Sequence, residues 1–565
     1  MRDITCDDHA REDSGVASAT ISRSGGGPIN RFLRRFKTEI ALAGIALVVY
    51  LPGIGWGLPY ATDALRTHGW ATDAITPLEP ISQFHSLIWP QADRWVVYPL
   101  MQYLLLAVAY TPYVLYLVVT GRLAGPSGRY PFGLSDPEGS LQVMELLGKS
   151  VSVLMAAGIV VAVYQTGKTL WGRTTGLLAG MFVMLMYPMV YYARTGNLDV
   201  PVLFWTSLGL LLFARILEHG LTTRRAVWLG VFAAFAIATK DQAWGAFMLL
   251  PVVLVAWQLR ISRQAGLPMP WRPLMTGLAA SSAVYALTSG LALSPERHFA
   301  HIRWIREHVP FPGLEHFPAT LEGLLGLLAQ ILGQLSDAVG PVMLAASVVG
   351  VFVVGRQEPK KLAMLLPAIG HFVFVLAPVR MSLLRYIMPI ALVLCVFAAR
   401  GIAQGLTRGG WPKRFAAGSA SVICAWLFLL GADLTWQMWQ DSHYPAAAWL
   451  EQHTQPGDTV GTVAATASLP RLKPGIRYVL MLDGNAENTI AQQRPKFLII
   501  MPDWTTPKGG IHPRSLPTHT YLQVANGRLG YRLGARFHGR SLITRQILDY
   551  PTVNPPIEIY VRHDL

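Results

Sequence analysis

Hydrophobic residues in this chain fall in long runs, with little of the alternation expected of half-buried strands. A bilayer core about 30 Å thick needs roughly 20 apolar residues per helix. Eleven segments approach that length: 38–58, 148–170, 174–192, 200–217, 226–240, 243–259, 274–293, 338–355, 361–378, 386–404 and 415–433. The short pair 226–240 and 243–259 shares a polar hinge, Lys240-Asp241-Gln242. Two further apolar stretches, 96–120 and 317–337, are assigned to the membrane surface. Pro99 and Pro112 interrupt the first, and the second carries Glu322, Gln330, Gln334 and Asp337, as a helix lying in the interface would. Beyond about residue 434 the pattern changes. A helical run at Tyr444–Glu451 precedes strand-like runs at 458–464, 476–482, 496–501, 531–538 and 557–562. The expected architecture is mainly α: about 11 transmembrane helices over 38–433, then an extracytoplasmic α/β domain over 434–565.

Charge gives the direction. With 96–120 on the surface, every second loop falls on the N-terminal side, and those loops hold Arg31, Arg34, Arg35, Lys37, Arg173, Arg224, Arg225, Arg260, Arg263, Arg272, Arg356, Lys360, Lys361, Arg408, Lys413 and Arg414. The positive-inside rule sets them in the cytoplasm. Counting 96–120 as a span would move every later cluster outside. The N-terminus is then cytoplasmic, and residues 1–37, rich in Ser, Gly and acids over the first 30, read as a disordered tail. A full-length span follows without a cleavage site, so no removed signal peptide is expected. The 565 residues are 52% hydrophobic and 14% charged, which excludes a disordered chain. Three cysteines, Cys6, Cys395 and Cys424, exclude a disulfide scaffold, the last two lying in apolar runs. The net charge of +15 sits in membrane-flanking loops, so nucleic acid is not a partner and membrane lipids are.

Charges at membrane depth cost about 2.5–3.5 kcal/mol each on insertion scales, so they mark cavities or partners. The informative ones share the outer face. Asp63 and Asp73 follow the first span, in Tyr60-Ala-Thr-Asp63-Ala and Trp70-Ala-Thr-Asp73-Ala. Asp199 ends the third span in Ala193-Arg194-Thr-Gly-Asn197-Leu-Asp199, Lys240 and Asp241 form the hinge, and Arg380 and Arg385 flank the tenth span. Taken singly, an outer aspartate is most often a helix cap or loop residue, and the two arginines could anchor to lipid headgroups. His298, His301 and His308 occupy the loop after the seventh span, with His68 elsewhere, but no carboxylate stands in register to complete a metal site. Convergence favours function: carboxylates and cations from four outer connections would meet at one interface. A carboxylate there deprotonates an acceptor as it attacks a sugar carbon, contributing about 10²–10⁴ in rate. Lys and Arg hold the departing phosphate.

The sequence resembles the integral-membrane GT-C glycosyltransferases, most of all the protein O-mannosyltransferase branch (dolichyl-phosphate-mannose-protein mannosyltransferases), which includes the bacterial lipid A aminoarabinose transferases. The resemblance covers roughly 38–465. It is carried by Leu51-Pro-Gly-Ile-Gly-Trp-Gly-Leu-Pro-Tyr60, Asp93-Arg94-Trp-Val-Val-Tyr98-Pro99, Ala193-Arg194-Thr-Gly-Asn197-Leu-Asp199-Val-Pro201, Ala238-Thr-Lys240-Asp241, Arg385-Tyr386-Ile-Met-Pro389 and Tyr444-Pro-Ala-Ala-Ala-Trp449-Leu450. It implies a GT-C fold in a bacterial inner membrane, a polyprenyl-phosphate sugar donor, and inverting transfer on the extracytoplasmic face to a protein, lipid or glycan acceptor. Its catalytic acid lies in the first outer loop within an Asp-Glu pair; here Asp63 and Asp73 are each followed by Ala. The base assignment stays open between them. The missing second carboxylate argues against a metal; no cofactor is assigned, and a divalent cation is left open. Asp199 matches a second acidic site position, Lys240 and Arg385 match basic positions for the donor phosphate, and Arg380 is a further candidate to bind it. Two other classes remain: a transporter or flippase of an amphipathic lipid-linked substrate, disfavoured by the lack of an internal repeat, and a non-catalytic envelope-assembly scaffold, kept by the missing Glu.

Overall fold

Where the apolar runs meet Pro or Gly, the helices stop or bend, and these stops build the outer end of the molecule. The computed structural model describes residues 34–88, 96–309, 316–463, 466–481, 486–502, 516–543, 550 and 552–563. Asp93 and Arg94 lie outside that set, as does the tail up to residue 33. Two units divide the chain at Ala41. The first, of which Arg34–Ala41 are described, supplies only the start of helix Lys37–Tyr50.

That helix is shorter than expected. It has 14 residues, so about 21 Å at 1.5 Å per residue, and it ends before Leu51-Pro52-Gly53, where Gly53 takes a φ of +85°. The turns that follow, not more helix, carry the first outer loop to Asp63 and Asp73. The centre of the second unit is the 35-residue helix Pro137–Trp171, capped by Asp136 accepting from Gly139 N and packed with helices Arg173–Leu185, Asp199–His219 and Met388–Leu406.

Each expected segment contains a helix, though several are shorter than expected, and helix Tyr187–Tyr192 continues 173–185 beyond a break at Met186. Among the described residues, seven helices are long and apolar enough to cross a membrane, or eight if the bent pair Leu321–Val339 and Pro341–Gln357 is one span. The count of eleven is not reached by that measure. Helix Met101–Val119, assigned to the surface from the sequence, is one of the seven, because Pro112 is accommodated within it. The elbow at Gly340 turns the chain by 106°. Gly340 has a φ of +80° and Pro341 opens the next helix, so neither residue extends the first. His298, His301 and His308 lie on helix Pro295–His308, not in a loop.

The C-terminal region is a five-stranded mixed sheet. Its strands are β1 (Thr459–Thr462), β2 (Arg477–Leu480), β3 (Phe497–Ile500), β4 (Tyr531–Phe537) and β5 (Ile557–Arg562), in the order β2-β1-β3-β5-β4. β1 runs parallel to β2 and β3, while β5 is antiparallel to β3 and β4. β3 is buried at all four positions, as a central strand covered on both faces must be. Helix His443–His453 lays Ala446 and Leu450 against Val460, Phe497, Ile499 and Ile559.

Candidate active site

Four chain breaks converge on one cleft. Helix Asp199–His219 begins at Asp199, whose carboxylate stands at the positive end of the helix dipole. Helix Thr223–Thr239 ends as Lys240 turns extended (φ −153°, ψ 121°), and a 3₁₀ turn, Asp241–Ala243, starts the next segment. The span Pro359–Val379 changes from α to π winding after His371. Arg385 and Tyr386 sit just ahead of helix Met388–Leu406. The cleft is lined by Asp199, Lys240, Gln242, His371, Arg385 and Tyr386, with an apolar floor that includes Val202, Leu203, Ala246 and Met388.

Within it the charges pair. Lys240 Nζ donates to Asp199 Oδ1 at 2.7 Å, both side chains being under 10% exposed. Arg385 Nη2 meets Asp73 Oδ2 at 2.5 Å; Asp73 remains 43% exposed. Arg385 Nε is buried without a hydrogen-bond partner, so this guanidinium has donor capacity that Asp73 does not use. Burial pulls the Arg385 pKa down, and Asp73 and Asp199 more than reverse it, holding the guanidinium charged. The Tyr386 ring lies 5.4 Å from both Lys240 Nζ and the Arg385 guanidinium carbon, a cation–π bridge between the two cations. Burial, and next the Asp73 carboxylate, push the Tyr98 phenol above its ordinary value, so it stays neutral beside the site. His371 Nε2 donates to the Tyr386 carbonyl at 2.9 Å and fixes the turn behind Arg385.

The structure therefore brings together Asp73, Asp199, Lys240 and Arg385. It places two other candidates elsewhere. Asp63 accepts from Leu65 N at 2.8 Å and from the Tyr478 hydroxyl at 2.9 Å, facing β2 of the C-terminal sheet. Arg380 adopts a left-handed turn (φ +56°) after the broken span, where its carbonyl accepts from Phe317 N at 2.9 Å. Asp241 takes a different partner from Lys240: its Oδ2 lies 3.0 Å from His301 Nε2, and His301 Nδ1 lies 3.1 Å from the Val96 carbonyl. The ring thus ties helix Pro295–His308 to the hinge. Among the described residues, no group of three or more His, Cys, Asp or Glu side chains could hold a metal ion. His371, in an apolar run, escaped the sequence reading; Gln242 showed only as part of the hinge and Tyr386 only as the neighbour of Arg385.

Residues 145–286, which contain Asp199 and Lys240, match the family model of the dolichyl-phosphate-mannose-protein mannosyltransferases. The resemblance to that branch holds over this segment. No curated protein sequence matches the chain. Among solved structures, the chain is similar to ArnT from Cupriavidus metallidurans bound to undecaprenyl phosphate, at 14% identity over 93% of this chain and 98% of the other, with a TM-score of 0.46. It is also similar to the oligosaccharyltransferase AglB of Archaeoglobus fulgidus (12% identity, 82% and 69% covered, TM-score 0.42). A third likeness is to the mycobacterial arabinofuranosyltransferase AftD (15% identity, 93% and 41% covered, TM-score 0.41).

Proposed function

We propose that this protein is a glycosyltransferase that moves a sugar from a polyprenyl-phosphate donor to an acceptor on the extracytoplasmic face of a bacterial inner membrane, with inversion. The observation that carries the reading is the cleft with two cations in it: Lys240 and Arg385 share one wall system, and Arg385 Nε is buried with no partner. A phosphate oxygen would satisfy that donor, and phosphate is the anion a guanidinium fork fits best. The apolar floor below suits the first carbons of a lipid tail, and the family matched over residues 145–286 is defined by a lipid-phosphate sugar donor.

Asp73 is the general base in this reading. Its carboxylate is the most exposed of the paired acids, so an acceptor hydroxyl or amine can reach it. It takes the acceptor proton while the acceptor attacks the anomeric carbon from the face opposite the phosphate. The sugar–oxygen bond to phosphate breaks, and Lys240 and Arg385 stabilise the released polyprenyl phosphate. Asp199 holds Lys240 in place. Asp63 and Arg380 take no part in this cleft. Read with helix Met101–Val119 lying at the membrane surface despite its length, the positive loop charges orient the molecule with the N-terminus in the cytoplasm, residues 38–433 in the membrane and residues 434–565 outside.

The test is direct. Purified protein supplied with a range of polyprenyl-phosphate sugars should transfer sugar, and the lipids that copurify should include a polyprenyl phosphate by mass spectrometry. Transfer that survives intact in Asp73→Asn, or a wild-type protein that uses no such donor, overturns the assignment.

A further inference from the structure

We infer that Asn197 is a positioning residue that holds the Asp73 carboxylate at the cleft. The inference rests on the reading of Asp73 as general base and adds a residue that reading does not use. Asp73 has a φ of +58°. Aspartate tolerates the left-handed region better than most residues, yet such a conformation is still strained and persists only where neighbours impose it.

Here the neighbours are one turn. Asn197 Nδ2 donates to the carbonyl of Thr72 at 2.7 Å, and Ile75 N donates to the carbonyl of Gly196 at 3.3 Å. These two bonds bracket Asp73, one on each side. Asn197 is only 1% exposed, so its bond to Thr72 is shielded from water and is not readily replaced by it. Removing the amide would leave the Thr72 carbonyl without that donor.

The same turn reaches the other half of the site. Two residues after Asn197 stands Asp199, which holds Lys240 at 2.7 Å. Asn197 spends its amide on the Thr72 carbonyl, so it acts through the segment that carries Asp73. The turn in its own right requires glycine at 196. Gly196 has a φ of +72°, and a Cβ there would come within 3.2 Å of Glu145 Oε1.

A displacement of about 1 Å at a reacting group can cost up to about 100-fold in rate. Lys240 and Arg385 would still bind the donor phosphate. Asn197→Ala is therefore expected to lower kcat about 10- to 100-fold while the KM for the polyprenyl-phosphate sugar stays within about twofold. Asn197→Asp, which keeps the size and loses the donor, should behave alike. Hydrogen–deuterium exchange supplies a readout that needs no activity: in both variants the segment Trp70–Thr76, and the Ile75 amide above all, should exchange faster, with helix Met388–Leu406 unchanged. Unaltered exchange over Trp70–Thr76 overturns the inference, as does a rise spread over the whole molecule or a loss confined to KM. A wild-type protein that transfers no sugar sinks the proposed activity alone, because the exchange comparison still decides whether Asn197 holds the loop.

Discussion

The tetrapeptide Ala-Thr-Asp-Ala occurs twice in one outer loop, at 61–64 and 71–74, and its two copies have different fates. In the first, Asp63 turns its Oδ1 back on its own chain at Leu65 N and gives Oδ2 to Tyr478 of the C-terminal sheet. Beside it, Thr466 donates to the Leu65 carbonyl, and Arg66 donates to the carbonyls of Leu469 and Pro470. This copy is a staple between loop and sheet. In the second, Asp73 adopts a left-handed conformation and pairs with Arg385, which lines the cleft. Identical local chemistry therefore serves attachment in one place and, under the proposed function, a reactive site in the other. What separates them is the partner each meets across the fold: a phenol at a sheet edge, or a cation at a helix start.

The largest expected contrast between the copies is catalytic. Asp73→Asn should lose about 10²–10⁴ in transfer rate, while Asp63→Asn should stay within about threefold of the wild type in the same assay. Equal losses would erase the distinction. Next comes stability at the paired acid. Lys240→Ala leaves the Asp199 carboxylate buried without its counter-ion and should cost about 3–5 kcal/mol in thermal or denaturant unfolding, whereas the double variant Lys240→Met with Asp199→Leu should recover much of the stability and none of the transfer. If the single variant unfolds like the wild type, the pair is not the buried, dry contact described. The smallest effect belongs to the staple. Tyr478→Phe removes one hydrogen bond to Asp63 and should lower stability by about 1 kcal/mol with transfer unchanged; a strong loss of transfer would show that the first copy, too, reaches the reaction.

Much of the fold was legible in the sequence, because its periodic signals are long. All five strands of the C-terminal sheet lie within the runs 458–464, 476–482, 496–501, 531–538 and 557–562. Helix His443–His453 contains the expected Tyr444–Glu451. Segment 38–58 was over-read, since hydropathy continues through Leu51–Tyr60 while Pro52 and Gly53 end the helix. Segment 96–120 shows the reverse problem: two prolines suggested a break, yet Pro99 precedes helix Met101–Val119 and Pro112 fits inside it. In the candidate site, Asp199 and Lys240 stood out because charges inside apolar runs are rare. The choice between Asp63 and Asp73 did not, because the two share a tetrapeptide and differ only in contacts made hundreds of residues away in sequence. His371 was hidden for a related reason: a change from α to π winding leaves no mark in hydropathy.

The indole of Trp70 lies against the imidazole of His443, ring centroids 4.2 Å apart, and His443 is locked by Asp441, which also accepts from Trp56. The reactive loop is thus clamped to the root of the C-terminal region by a flat, greasy hinge plate. Under the proposed function, load applied to that region by an acceptor would travel through two aromatic faces into the segment carrying Asp73. Acceptor capture and base placement would then be mechanically geared, and grafting a foreign C-terminal region onto these helices would slacken the loop even if every residue of the cleft were preserved.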